Sequence, residues 1–169
     1  MSEKILHQLA DEYITNIKNL ANLVQNKVVV FDFDGVMVKF KYAENKLLPC
    51  KYDDFDNYCK HNSFYDNAQA VKTIQYIAGL LNPDDIYVLT VSADTVKTSK
   101  TNKILSSFNI KSSHIIHVSE PCKKNDELKK IYEKTKKEIV FLEDTDRTLI
   151  NAEDAFDFVK GYHISSLLA

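Results

Sequence analysis

An apolar run that ends in two aspartates constrains the fold of this chain more than any other feature. Residues 28–31 read Val-Val-Val-Phe, and Asp32, Asp34 and Gly35 follow directly. A strand that is apolar on both faces is typical of the centre of a parallel sheet covered by helices on both sides. Because unpaired charges beside a buried strand are costly, the two carboxylates require partners. A divalent cation and a phosphate group are the obvious candidates.

Similar apolar segments recur along the chain and alternate with helical patterns. The further predicted strands are residues 86–91, 114–118, 138–143 and a short segment near 158–164. The predicted helices between them are residues 66–81, 93–108, 125–135 and 147–156. Strands that alternate with helices predict an α/β domain with a mainly parallel sheet.

Two segments lie outside this alternation. Residues 1–26 predict an amphipathic N-terminal helix, since apolar side chains recur there at three- and four-residue steps. Residues 38–65 begin with alternating apolar and lysine side chains, which predict a small hairpin flap, and continue into a polar stretch. We interpret the whole chain, residues 1–169, as a single domain, long enough to bury a hydrophobic core.

Composition excludes several classes of function. A net charge of −2 gives no support for general affinity for nucleic acid or membranes. The three cysteines are an odd number without metal-site spacing, which favours free thiols. The N-terminal residues are charged and no apolar run is long enough to span a membrane. These features predict a cytoplasmic protein without membrane contact.

Polar side chains follow three of the predicted strands. They are Asp32 and Asp34 after the first strand, Thr90 and Ser92 in and after the second, and Glu143 and Asp144 at the end of the fourth. In open parallel sheets, ligands bind beyond the carboxyl ends of the strands, where strand order reverses. Ser92 is interpreted as a helix cap rather than as a ligand. The remaining side chains are candidates for one site.

These segments resemble the haloacid dehalogenase (HAD) superfamily of aspartate-nucleophile phosphohydrolases. The sequence contains "FDFDGV", "IYVLT", a lysine in "CKKNDEL" and "IVFLEDT", which are similar to the family's four motifs in their usual order. The resemblance covers about residues 28–150. It implies a Rossmann-like, three-layer α/β/α domain. The short gaps between the motifs leave room for the flap and a minimal cap within residues 38–65.

The resemblance implies catalytic roles for the two aspartates of the first motif. Asp32 would attack phosphorus and form an aspartyl-phosphate, which divides a hard hydrolysis into two easier steps. Asp34 would act as general acid toward the leaving oxygen and then as base toward water. Its presence favours ester hydrolysis, because the family's ATPases and dehalogenases lack an aspartate there.

The resemblance also implies a magnesium site. Asp32, Asp144 and the carbonyl group of Asp34 would hold Mg²⁺ through oxygen atoms, which suits a hard cation. Glu143 stands where the family more often has Asp or Gly. It would either hold a metal-bound water or only accept surface hydrogen bonds, and the sequence leaves both alternatives open.

Three further residues would bind the substrate. Thr90 would donate a hydrogen bond to the phosphoryl group, and a lysine would offset its negative charge. Lys124 is favoured because it lies nearest the helix start, and Lys123 is the alternative. Gly35 would let the backbone turn sharply and approach the ligand.

The function predicted from the sequence is therefore a Mg²⁺-dependent phosphomonoester hydrolase. The alternatives are a non-catalytic phosphate- or protein-binding module that keeps the fold, and a phosphotransferase. The substrate stays open among nucleotides, sugar phosphates and macromolecular phosphates, so that nucleic acid enters only as a substrate. Without a large cap the site would be open, which favours a large substrate or closure by a second copy of the chain through the N-terminal helix or the flap.

Overall fold

The computed structural model describes residues 3–39 and 64–167. The strands are β1 (Val28–Phe31), β2 (Val38–Lys39), β3 (Gln69–Ala70), β4 (Ile86–Val91), β5 (Ile115–Val118), β6 (Ile139–Glu143) and β7 (Val159–His163). The helices are α1 (Glu3–Leu23), α2 (Lys72–Leu80), α3 (Asp94–Ser107), α4 (Lys124–Thr135) and α5 (Asp146–Ala155). Among these residues, no helix combines the length and the apolar character that a membrane span requires.

Five strands form one parallel sheet in the order β5-β4-β1-β6-β7. From β1 the chain moves outward through β4 to β5, then returns to the other side of β1 and moves outward through β6 to β7. The predicted α/β class with a parallel sheet is confirmed, and the arrangement is Rossmann-like. Strand β1 lies at the centre because all four of its side chains are apolar and buried.

Helices cover both faces of the sheet. Val29 and Phe31 pack in the cluster formed with α1, α2 and α3, whereas Val28 and Val30 pack in the cluster formed with α4 and α5. Burial of a side chain of this size contributes roughly 1.5–3 kcal/mol, so the uninterrupted apolar run is what makes a doubly covered strand favourable. The three layers place the carboxyl ends of β1, β4 and β6 side by side.

The prediction of a helix from residue 66 is wrong at its start. Helix α2 begins at Lys72, because Gln69–Ala70 form strand β3, which pairs antiparallel with β2. The backbone N–H of Val71 continues this pairing by donating to the carbonyl group of Met37 at 2.8 Å. Tertiary pairing therefore overrides the helical pattern of residues 66–71. The return strand of the predicted flap and most of the predicted cap insert lie outside the described residues.

Candidate active site

The site lies at the carboxyl ends of the three central strands. Asp32 directly follows β1, and its backbone N–H donates to the carbonyl group of Leu142 in β6 at 2.8 Å. This bond extends the β1–β6 pairing by one residue and fixes Asp32 beside the end of β6. The crevice where strand order reverses is the usual ligand position in such sheets.

Lys124 joins two buried carboxylates from neighbouring strands. Its Nζ atom donates to Asp32 Oδ1 at 2.7 Å and to Glu143 Oε2 at 2.6 Å, and all three side chains are buried. Lys124 is the first residue of α4, which places its ammonium group over the end of the sheet. Lys123, the alternative, is exposed in the preceding turn. The structure thus puts Lys124, not Lys123, in the site.

Burial and the neighbouring charges have opposite effects on the pKa values of Asp32, Glu143 and Lys124. Burial raises the pKa of Asp32 to about 7, although Lys124 acts in the opposite direction. Burial also raises the pKa of Glu143 against the influence of Lys124. For Lys124, burial alone would lower the pKa, but Asp32 and Glu143 outweigh it and the pKa is raised. One ammonium group therefore only partly compensates two buried carboxylates, and a second cation would be favourable here.

A third carboxylate completes an acidic cluster. Asp32, Glu143 and Asp144 each offer an oxygen atom within 4.8 Å of the others, and Asp144 is exposed. The predicted convergence of residues 32 and 144 is therefore observed. Three carboxylates form an oxygen-only donor set, which suits Mg²⁺. The role of the Asp34 carbonyl group as a further ligand stays a prediction.

Glu143 already has a partner for each oxygen. Oε2 accepts from Lys124, and Oε1 accepts from the backbone N–H of Asp144 at 3.2 Å. The Asp144 backbone is held from the other side, since His163 Nε2 donates to its carbonyl oxygen at 2.9 Å. Glu143 therefore orients the lysine and the Asp144 backbone, which leaves Asp32 and Asp144 as the better placed metal ligands.

Gly35 makes room for Asp144. The φ angle of Gly35 is +77°, a left-handed conformation that favours glycine. A Cβ atom at this position would lie 2.1 Å from Asp144 Oδ2 and 2.9 Å from its Cγ. The sharp turn at this glycine is confirmed, and the group that approaches its backbone is a carboxylate of the acidic cluster.

Asp34 has its own lysine partner, which the sequence interpretation missed. Lys100 on α3 donates from Nζ to Asp34 Oδ2 at 2.5 Å, to Thr90 Oγ1 at 3.2 Å and to the carbonyl oxygen of Val91 at 2.6 Å. Thr90 is fully buried, and in the structure its hydroxyl group contacts Lys100. The role of Thr90 as a phosphoryl donor stays a prediction.

A pattern in α3 could have revealed Lys100. The buried residues of this helix are Val96, Lys100 and Ile104, spaced four residues apart on one face. A lysine four residues from buried aliphatic residues on either side lies on the buried face of the helix, which marks it as a candidate for a buried charge.

The interpretation of Ser92 as a helix cap is wrong. The residue at the N-cap of α3 is Ala93, and no side chain caps this helix. Ser92 is buried, and its Oγ atom lies 2.9 Å from Nδ1 of His117, whose Nε2 lies 2.9 Å from Thr101 Oγ1. Burial, followed by the nearby charges of Lys100 and Lys97, lowers the pKa of His117. A neutral histidine thus links β5 to the residues after β4.

A cleft of about 430 Å³ opens beside Asp34. Its walls include Asp34, Tyr65, Ser92, Lys97, Lys100 and Ser119. Its lining does not include Asp32, Glu143 or Asp144. The cleft therefore adjoins the site on the Asp34 side, away from the acidic cluster.

No protein-family model and no curated protein matches the chain.

Proposed function

We propose that this protein is a Mg²⁺-dependent phosphomonoester hydrolase that forms an aspartyl-phosphate on Asp32. The observation that supports it most is the convergence of Asp32, Lys124 and Asp144 at the carboxyl ends of β1 and β6. This arrangement combines a nucleophile, a fixed cation and a candidate metal ligand within a few ångströms. Asp34, which lies two residues after Asp32 and is partly exposed, supplies an acid–base group.

Asp32 is the nucleophile in this proposal. Lys124 occupies Oδ1, and within the described residues Oδ2 has no hydrogen-bond partner. An Asp32 oxygen forms a bond to phosphorus while the bond between phosphorus and the ester oxygen breaks. Asp34 gives a proton to the departing oxygen, so the leaving group departs as an alcohol.

The second step regenerates the protein. Asp34, now a carboxylate, takes one proton from water, and the remaining hydroxide oxygen forms a bond to phosphorus. The bond between phosphorus and Asp32 breaks, which releases inorganic phosphate and restores the Asp32 carboxylate. Two carboxylates thus divide nucleophilic and acid–base work between them.

Positive charge permits an anionic carboxylate to approach an anionic phosphate. Lys124 supplies one fixed charge at Asp32, held in place by Glu143. Asp32 and Asp144 would hold Mg²⁺, which when bound supplies further charge stabilisation to the phosphoryl oxygens. Because Gly35 has no side chain, it leaves the space that the Asp144 carboxylate occupies.

The test is a phosphate-release assay with p-nitrophenyl phosphate and a panel of phosphorylated metabolites. We expect hydrolysis that requires Mg²⁺ and stops on addition of EDTA. Asp32→Asn should lower kcat by about 10⁴-fold or more, the scale on which loss of a covalent nucleophile acts. Asp154→Asn, an exposed acid on α5, is the control and should leave the rate unchanged. Robust hydrolysis by Asp32→Asn would overturn the nucleophile assignment.

A further inference from the structure

Lys100 uses all of its hydrogen-bonding capacity at the end of β4. An ammonium group has three protons, and here they meet Asp34 Oδ2, Thr90 Oγ1 and the carbonyl oxygen of Val91. Thr90 and Val91 belong to the central sheet, so two of the three bonds attach the lysine to a rigid strand. The third bond reaches Asp34, whose side chain is 37% exposed.

The ammonium group of Lys100 lies near two aromatic rings. The side chain is buried, and Nζ lies 5.2 Å from the ring centre of Tyr65 and 5.9 Å from that of Phe33. These distances suit a cation–π contact. Burial of a charge is costly unless the charge is paired and hydrogen-bonded. The carboxylate of Asp34 provides this pairing for the buried ammonium group of Lys100.

The pairing leaves one oxygen of Asp34 available. Oδ2 is held by Lys100, and Oδ1 has no hydrogen-bond partner within the described residues. Asp34 and Lys100 both line the cleft of about 430 Å³, whose lining does not include Asp32. The group that exchanges a proton with the leaving oxygen thus faces a space that a leaving group could occupy.

We propose that Lys100 is a positioning residue that acts through Asp34, and that the cleft beside them receives the leaving group of the substrate. Thr90 and Val91 anchor the lysine, and the lysine fixes the Asp34 carboxylate with one oxygen directed to proton exchange. This proposal rests on the proposed hydrolase function. It assigns Lys100 no contact with the transferring phosphoryl group.

The role of Lys100 predicts a dependence on the leaving group. Proton transfer matters more for phenyl phosphate than for p-nitrophenyl phosphate, because phenoxide is the more basic leaving group. Lys100→Met should therefore lower kcat/KM for phenyl phosphate about tenfold more than for p-nitrophenyl phosphate, a part of the roughly 10²–10⁴-fold that general acid catalysis supplies. Asp34→Asn should show the same selectivity, and the double variant should lose little more on phenyl phosphate than Asp34→Asn alone.

Two controls distinguish a positioning role of Lys100 from a general effect of its substitution on folding. Lys103→Met, three residues along the same helix, should leave the ratio of the two kcat/KM values unchanged. Mg²⁺ binding, measured as the concentration-dependent rise in Tm, should be the same in Lys100→Met as in the unmodified protein, because the candidate ligands Asp32 and Asp144 are intact. If Lys100→Met does not fold, Lys100→Gln is the second variant, and the same shift in the ratio is expected.

The outcomes distinguish the two proposals. An unmodified protein that hydrolyses neither ester would overturn the proposed function and the role of Lys100 with it. Hydrolysis of both esters with an equal loss in the Lys100 variants would overturn only the role of Lys100. A selective loss on phenyl phosphate, shared with Asp34→Asn, is the result that supports it.

Discussion

The two lysine–aspartate pairs of the site differ in their access to solvent. In the pair formed by Lys124 and Asp32, the side chains are 4% and 8% exposed, and in the pair formed by Lys100 and Asp34 they are 3% and 37% exposed. Both lysines are equally buried, so the difference lies with the aspartates. A nucleophile benefits from a fixed, dry environment, whereas a group that exchanges protons with water and a leaving group requires access.

Charge balance differs between the pairs as well. Lys124 contacts two buried carboxylates, Asp32 and Glu143, whereas Lys100 contacts one partly exposed carboxylate and two neutral oxygens. The Lys124 side therefore has an excess of negative charge, and the acidic cluster with Asp144 lies there. In the proposed function, the candidate metal site belongs to the pair of Lys124 and Asp32, and proton exchange belongs to the pair of Lys100 and Asp34.

Removal of the two lysines should have unequal effects on stability. Lys124→Met leaves two buried carboxylates without a cation, and at pH 8 we expect a loss of about 3–5 kcal/mol in the free energy of unfolding. Lys100→Met should cost about 1–3 kcal/mol, because solvent reaches Asp34. Urea unfolding measures both, and Lys123→Met, on the exposed neighbour, should change less than about 0.5 kcal/mol. Equal losses for Lys124 and Lys100 would contradict the distinction between the pairs.

Gly35→Ala should weaken the candidate metal site formed by Asp32 and Asp144. The added Cβ atom would lie 2.1 Å from Asp144 Oδ2, so Asp144 must move. We expect Mg²⁺ affinity to fall about 10–100-fold, the range seen when groups that orient metal ligands are removed. Titration calorimetry measures it. Gly79→Ala, which adds a Cβ in open space on α2, is the matched control and should bind Mg²⁺ normally.

Proton competition should make Mg²⁺ affinity depend on pH. The pKa of Asp32 is raised to about 7, so below that pH a proton must leave before the metal binds. For one such proton, affinity should rise about tenfold between pH 6 and pH 8. Affinity that stays constant over this range would show that Asp32 is ionised throughout or does not bind the metal.

The metal-free protein should show the opposite trend in stability. The folded-state pKa of Asp32 lies above its usual value of 3.8, so its contribution to stability is present at low pH and is lost as pH rises through about 7. The raised pKa of Glu143 acts in the same direction. In EDTA, the free energy of unfolding should therefore fall between pH 6 and pH 8, and saturating Mg²⁺ should reverse part of that loss.

The sheet could be predicted because its strands carry the signal locally. Continuous apolar runs such as residues 28–31 and 86–91 form buried strands wherever helices cover both faces. The segment before α2 could not be predicted in this way, since Gln69 and Ala70 form a strand only through their pairing with Val38 and Lys39. A two-residue strand has no periodicity of its own.

The residues of the candidate site likewise differ in how clearly the local sequence marks them. Asp32, Asp34 and Asp144 were identified because carboxylates that follow buried strands are unusual, and the topology brings strand ends together. Lys100 is harder to identify because lysines are common on exposed helix surfaces, and its signal in the sequence is only its four-residue spacing from Val96 and Ile104. Its partners Asp34 and Thr90 are 66 and 10 residues away, so its role depends on the tertiary structure.

The most direct measurement is the detection of phosphate on Asp32 during turnover. Protein quenched in acid with substrate and Mg²⁺ present is reduced with borohydride, which converts an aspartyl-phosphate to homoserine, and its peptides are analysed by mass spectrometry. We expect homoserine at position 32, with Asp34 unchanged. Homoserine at another position, or turnover with no modified aspartate at any quench time, would contradict it.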